Sequence, residues 1–261
     1  MNRAHVIGMG RLGHHLALRL ESIGITVHRW NRTPTNGARS LEEWTGDDRP
    51  DAVFLTVSDD AIETVANSIR NGLASGTWMI HHAGSLPKDK LGPAPQPTAV
   101  LWPPMTFQTE VNPDWSSLPL IVDTDDITIR NWARNLTPNC TDVQGEQRAE
   151  LHLAAVLLGN LTAGWIGMVQ QHLQERGLDA ETLNPLVRTS VIKALDGLAL
   201  NHVTGPAARN DRATLTQQAD HLDTHDLRGD LAQIHHILTN RILTHHGHDP
   251  LPPLQAAPRK D

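Results

Sequence analysis

The sequence predicts an α/β chain in two parts, a doubly wound parallel sheet followed by an all-helical domain. Three observations carry this. Over residues 1–145 short apolar runs alternate with helical patterns, as expected of strands joined by crossover helices. From about Glu146 the apolar spacing is helical throughout. And residues 8–13 read Gly8-Met9-Gly10-Arg11-Leu12-Gly13, between an apolar run and a helical pattern.

Taken in order, Ala4–Ile7 forms the first strand, and Leu12, Leu16, Leu18, Leu20 and Ile23 mark the helix after the glycines. Residues 25–30 and 51–57 are the second and third strands. Ser58 or Asp59 caps a helix reaching about Gly72, with Ile62, Val65, Ala66 and Ile69 on one face. Residues 77–81, 98–102 and 118–122 are strands. A helix over 125–135 follows, and 141–143 closes this part. In the second half, Leu151, Ala155, Leu158, Leu161, Ile166, Val169 and Leu173 predict one helix to Arg176, stopped by Gly177. A helix over 180–201 tolerates Pro185 near its start. Gly205-Pro206 breaks the pattern, and helices over 211–223 and 228–246 finish the fold. The domains are therefore 1–145 and 146–247, with a flexible Pro-rich tail over 248–261, loose from Pro250 onward.

The 261 residues are 39 % hydrophobic and 20 % charged, enough for one large or two ordinary cores. The net charge is −7 without a long basic run, so nucleic acid is not an expected partner. No stretch reads as apolar over the roughly 20 residues of a membrane helix. No signal segment precedes the first strand. A soluble, cytoplasmic protein without a membrane partner is expected. Cys140 is the one cysteine, which leaves no internal disulfide. Sixteen histidines, several in pairs, form no compact zinc pattern, so no metal site is expected, although His221 and His225 could share a helix face. The lack of tyrosine removes one common proton donor.

Strand, glycine turn and helix is the context of a dinucleotide fingerprint; a purely structural turn is the competing reading. Gly8 permits the tight turn, Gly10 lets a pyrophosphate approach the backbone, and Gly13 lets helix and strand pack closely. The helix start, with Met9, Arg11 and Leu12, offers N–H groups and a partial positive charge to phosphates. The second strand ends Trp30-Asn31-Arg32-Thr33, with no acid to bond a ribose 2′-hydroxyl. A guanidinium there suits a 2′-phosphate, so Asn31, Arg32 and Thr33 favour NADP(H) over NAD(H); an ordinary polar turn is the alternative. Backbone around Val57 and Ser58, beyond the third strand, is expected near the nicotinamide half. Asp59 reads as a helix cap rather than a catalytic acid.

Three segments of the helical half stand out: His152-Leu153-Ala154-Ala155 with Asn160, Asn184-Pro185-Leu186-Val187, and Thr204-Gly205-Pro206 with Arg209 and Asp211. Through the motifs T-G-P-x-x-R-x-D and H-x-A-A…N, nearly the whole chain resembles a group of two-domain, Rossmann-like proteins, largely of unknown function and read as NADP oxidoreductases. They are similar in architecture to pyrroline-5-carboxylate reductase, ketopantoate reductase and the 6-phosphogluconate dehydrogenase group. The resemblance implies a Rossmann NADP-binding domain, an all-α substrate and dimerisation domain, and a homodimer. The chain departs from the group at three points. Leu151 replaces a tyrosine, Ala83 a serine in the turn His81-His82-Ala83-Gly84, and Trp102 a histidine before Pro103. Val156 stands where related hydroxyacid dehydrogenases carry a catalytic lysine, so a lysine mechanism does not transfer.

Hydride transfer asks the protein mainly for geometry and a hydrogen-bond donor at the developing charge. His152 is the candidate donor and Asn160, two helical turns on, its orienter on the same helix face. Packed helix residues are the alternative for both. Arg209 is a candidate carboxylate clamp, and an ion pair with Asp211 is its structural alternative. The expected function is NADPH-dependent reduction of a small carbonyl or imine carboxylate, in a cleft between the domains. A non-catalytic NADP(H)-binding or sensing protein is the rival reading, and an assembly subunit keeping a relic fold is a third.

Overall fold

The computed structural model describes residues 1–35, 37–93, 95–197, 199–226 and 229–254. It divides into two compact units, 1–159 and 160–261.

The first unit is built on an eight-stranded sheet. Its strands are β1 (Arg3–Ile7), β2 (Thr26–Asn31), β3 (Arg39–Ser40), β4 (Ala52–Leu55), β5 (Trp78–His81), β6 (Thr98–Trp102), β7 (Leu120–Asp123) and β8 (Cys140–Asp142). Their order is β3-β2-β1-β4-β5-β6-β7-β8. Strand order reverses at β1, which pairs with β2 on one side and β4 on the other. Ligands of such sheets bind beyond the carboxyl ends at this switch point. All pairings are parallel except β6–β7. The all-parallel expectation fails there because Pro103-Pro104 and the loop to 119 supply no crossover helix, which a parallel return requires. The two-residue β3 is too short to show in the sequence pattern.

Both sheet faces are covered. Ala4, Val6, Phe54, Ile80 and Leu101 pack with Leu16 and Leu20 of α1 (Arg11–Ser22) and Ile129 and Ala133 of α3 (Ile127–Ala133). On the other face Ile7, Val53, Leu55 and Met79 meet Ile62, Ala66 and Ile69 of α2 (Asp59–Ile69). This alternation is what strands buried on both faces require. The last helix of the unit, α4 (Gly145–Ala155), joins the sheet through Arg148, which moves the division from the expected residue 145 to 159.

A π-helical stretch, Val156–Leu161, links α4 to α5 (Thr162–Gln174), and Gly177 follows at φ +70°. The expected single helix to Arg176 thus contains a wider turn. Next come α6 (Asn184–Leu195), with Pro185 in its first turn, α7 (Ala199–His202), α8 (Arg212–His225) and α9 (Asp230–His245). Arg228, the expected start of the last helix, lies outside the described residues. Asp211 caps α8 by accepting from the Thr214 N–H at 3.1 Å and its hydroxyl at 2.8 Å. The core of this unit is small: Ala207, Leu215 and Leu243, with Ile242 and Leu251 against them. Leu251 also donates its N–H to Asn240 Oδ1 at 2.7 Å, and His248 Nε2 donates to the Ala208 carbonyl at 3.3 Å. The first residues of the tail are therefore tethered; residues 255–261 lie outside the described ones.

α5 and α6 bury none of their residues, and Leu158, Leu186, Ile192 and Leu195 are 61–81 % exposed. Among the described residues, the helical run Gly145–Gln174 is long and apolar enough to cross a membrane, and none of its apolar stretch is buried. This corrects the expectation that no such stretch exists. Residues 151–169 carry no charged side chain, and the interruptions at Gly159, Asn160, Thr162, Gly164 and Gly167 are small or uncharged.

Candidate functional site

The glycine turn has the geometry its spacing implies. Gly8 holds φ +102°, and a Cβ there would lie 2.8 Å from the Thr56 backbone. Its N–H bonds the Trp30 carbonyl at 2.8 Å, and its own carbonyl accepts the Thr56 hydroxyl at 2.6 Å. A Cβ on Gly13 would fall 1.9 Å from the Gly8 oxygen, so α1 can approach β1 only with glycine there. A Cβ on Gly10 would meet nothing within 4 Å. Space is open at the N-cap of α1, where no side chain caps the helix and no acid occupies the first turn with Arg11 and Leu12. That combination leaves the first N–H groups of α1 and its positive dipole end free to face an anion.

Asn31 joins this turn to the end of β2. Its Oδ1 accepts the Met9 N–H at 3.4 Å, and its Nδ2 donates to the Thr33 carbonyl at 3.0 Å. Arg32 and Thr33 are exposed, and Arg32 forms no ion pair among the described residues. The nearby acid Asp48 is committed elsewhere, accepting from His28 Nδ1 at 2.7 Å. Val57 packs beside Gly8. Ser58 takes the N-cap position of α2, while Asp59 is its first helical residue and accepts the Ser85 hydroxyl at 2.7 Å. Asp59 therefore complements the helix dipole without capping.

A second cluster of the same unit gathers beyond β5 and β6. The turn His81-His82-Ala83-Gly84 leaves β5, Trp102 ends β6, and α4 brings His152 to both. The His152 and Trp102 ring centroids are 5.3 Å apart. A Cβ on Gly84 would lie 2.5 Å from His152 Cδ2 and 2.6 Å from the Trp102 ring. The missing side chain at residue 84 is thus what admits the imidazole. His152 is partly buried, and its ring nitrogens make no hydrogen bond among the described residues. His81 and His82 are different. Burial pushes both down to about 4, so they are neutral near pH 7. His82 Nδ1 donates to the Leu101 carbonyl at 2.5 Å, and His81 Nδ1 accepts the Ala83 N–H at 3.2 Å. They shape the turn and have no proton to give.

Arg148, one turn before His152, escaped sequence reading. It is 1 % exposed, and its Nε donates to Asp123 Oδ2 at 3.0 Å. Its Nη1 donates to the Gly84 carbonyl. A lone cation three residues before Leu151 and seven before Ala155, on the apolar stripe, was the available signal.

The remaining candidates belong to the second unit. Asn160 is exposed within the π-helical stretch, whose wider turns remove the 3.6-residue basis for a face shared with His152. Arg209 is exposed in a loop shaped by Gly205 (φ +116°) and Asn210 (φ +58°). Asp211 does not pair with it. The Thr214 side chain, more than Arg209, holds that carboxyl below the usual range. His221 and His225 stack at 4.2 Å, with His225 Nδ1 donating to the His221 carbonyl. One three-ligand group occurs among the described residues: His5, His28 and Asp48. Its donor set suits a metal poorly. The Trp44 indole N–H occupies the lone pair of His5 Nδ1 at 3.0 Å, and Arg39 lies 3.9 Å from Asp48.

The sequence profile of a domain of unknown function (DUF2520) matches residues 123–242. No curated protein sequence matches the chain. Solved structures do. A candidate NADP oxidoreductase from Bacteroides fragilis is 22 % identical with TM-score 0.77, covering 93 % of this chain and 98 % of its own. A Thermotoga maritima protein is 18 % identical with TM-score 0.72, covering 93 % and 97 %. An imine reductase from Myxococcus stipitatus, in complex with NADP+, is 15 % identical with TM-score 0.64, covering 95 % and 96 %. At such identities the likeness establishes the fold. The chain has the Rossmann-type, two-domain architecture of these oxidoreductases, with a helical C-terminal part.

Proposed function

We propose that the protein is an NADP(H)-dependent reductase of a small carbonyl or imine compound that carries a carboxylate. The observation that carries the reading is the open space at Gly10 within a glycine-locked turn, together with Arg32 just after β2, which forms no ion pair among the described residues. Gly8, Met9, Gly10, Arg11, Leu12 and Gly13 would hold the pyrophosphate, Asn31, Arg32 and Thr33 the 2′-phosphate, and Val57 and Ser58 the nicotinamide half. Bound NADPH would supply the hydride. His152 would donate a hydrogen bond or proton to the oxygen or nitrogen of the acceptor as charge develops there. On the second unit, Arg209 would be the group to bind a carboxylate.

Calorimetric titration with NADPH and NADH tests the cofactor. Arg32→Ala is expected to weaken NADPH about 10- to 100-fold, the range of one charge-assisted contact, and to leave NADH unchanged. Equal NADPH affinity in the variant would sink the assignment. A second reading, a non-catalytic NADP(H) sensor, draws on Trp102 and Val156, which stand where relatives of the group carry histidine and lysine. Stoichiometric NADPH binding without oxidation over a panel of 2-oxo acids and cyclic imines would favour it.

We also propose that the chain is a soluble, cytoplasmic homodimer, without nucleic-acid or membrane partners, whose second copy covers the exposed leucines of α6. Light scattering at micromolar concentration checks this; a monomer, or recovery with membranes, would refute it.

A further inference from the structure

We propose that Arg148 is the positioning residue of the His152 site, holding the Ala83–Gly84 turn and α4 together so that the imidazole stays against Trp102. The inference rests on the reading of His152 as the proton donor.

Arg148 heads the fully buried side chains by volume. Burying a guanidinium and a carboxylate costs several kcal/mol per ion, and apolar replacements of such pairs are often as stable. Holding the fold together is thus a weak reason for keeping this one. What the fork does is geometric. From α4 it reaches Asp123 at the end of β7 and the carbonyls of Gly84 and Ala83 beyond β5, the latter at 3.5 Å. Asp123 is held from its other oxygen by Lys88 at 3.9 Å. Three elements therefore converge on one planar group. His152 is the next residue on that face of α4. Its Cδ2 would be 2.5 Å from a Cβ on Gly84, the residue whose carbonyl Arg148 holds. Any slip of the turn against α4 must move the imidazole across Trp102. A lysine cannot replace the fork, because a point charge does not span a carboxylate and a carbonyl in fixed directions.

The test uses the full-length protein with Arg148→Lys and with the apolar pair Arg148→Met/Asp123→Leu. Three readouts are taken: NADPH affinity, the NOE between the His152 and Trp102 rings, and steady-state reduction of 1-pyrroline-2-carboxylate by NADPH. In the double variant, unfolding temperature and NADPH affinity are expected to stay near wild type while the NOE is lost. Its kcat should fall about ten-fold or more with KM little changed, as misplacement of a reacting group by an ångström can do. Arg148→Lys should show the same loss. Retention of the NOE and of kcat in the double variant, or full rescue by lysine, would overturn the proposal. If the wild type reduces no probe but the NOE disappears in both variants, the positioning role stands and the reductase reading fails.

Discussion

The two units solve the burial problem in opposite ways. In the sheet unit the strands β1, β4, β5, β6 and β7 are almost wholly buried, and even polar side chains such as His81, His82 and Arg148 are taken inside. In the helical unit α5 and α6 bury nothing, and Leu186, Ile192 and Leu195 of α6 are exposed. The sheet closes its core within one chain. The helices leave several large apolar side chains exposed, the surface that the proposed second copy would cover.

Changes in the sheet unit should act on folding, the largest first. Gly13→Ala places a Cβ 1.9 Å from the Gly8 oxygen. It should cost about 3 kcal/mol, although alanine favours helices elsewhere; urea unfolding followed by tryptophan fluorescence measures it. An equally stable variant would break the claim that this unit is packed to its limit.

Acid should come next. His5, His81 and His82 are each held near 4 by burial, below the ordinary 6.5. The unfolded chain takes up protons below about 6.5 that the folded chain refuses until about 4. Stability is thus full above 6.5 and falls as pH drops through that window, by at most about 1.4 kcal/mol per pH unit for each histidine. Among the described histidines of the helical unit, His235 alone shows a lowered value. Unfolding monitored between pH 7 and 4 should therefore show the six tryptophans of residues 1–159 responding before Trp165.

Leu186→Asp and Leu195→Asp should leave the sheet unit's unfolding unchanged and abolish self-association in light scattering. Loss of sheet stability instead would collapse the distinction between the units. The smallest effect belongs to Gly10→Ala. Its Cβ meets nothing, so stability should change by less than about 1 kcal/mol while NADPH binding weakens.

Local signals reached far into the sheet unit. Gly8, Gly10 and Gly13 could be assigned distinct jobs from spacing alone, because each job follows from a Cβ that would or would not fit. Strands β1, β4 and β6 were legible as apolar runs between turns. Non-local features were not. Nothing near Arg148 in sequence names Asp123 as its partner, 25 residues away. The π-helical turn after Ala155 leaves no mark in apolar spacing, so the expected pairing of His152 with Asn160 rested on a regular helix that is interrupted.

The reversal of β7 has a directional consequence. Because β7 runs against β6, its last residue, Asp123, stands level with Val100 and, through β5 and β4, with Ile7 just before the Gly8 turn. β8 follows β7 and ends at Asp142, beside Val122 and one position from that level. α4 then begins a few residues on, and its Arg148 meets Asp123 and Gly84 one turn before His152 meets Trp102. One strand orientation thus puts the acid that anchors this helix at the level of the glycine turn, and with it the address of the imidazole.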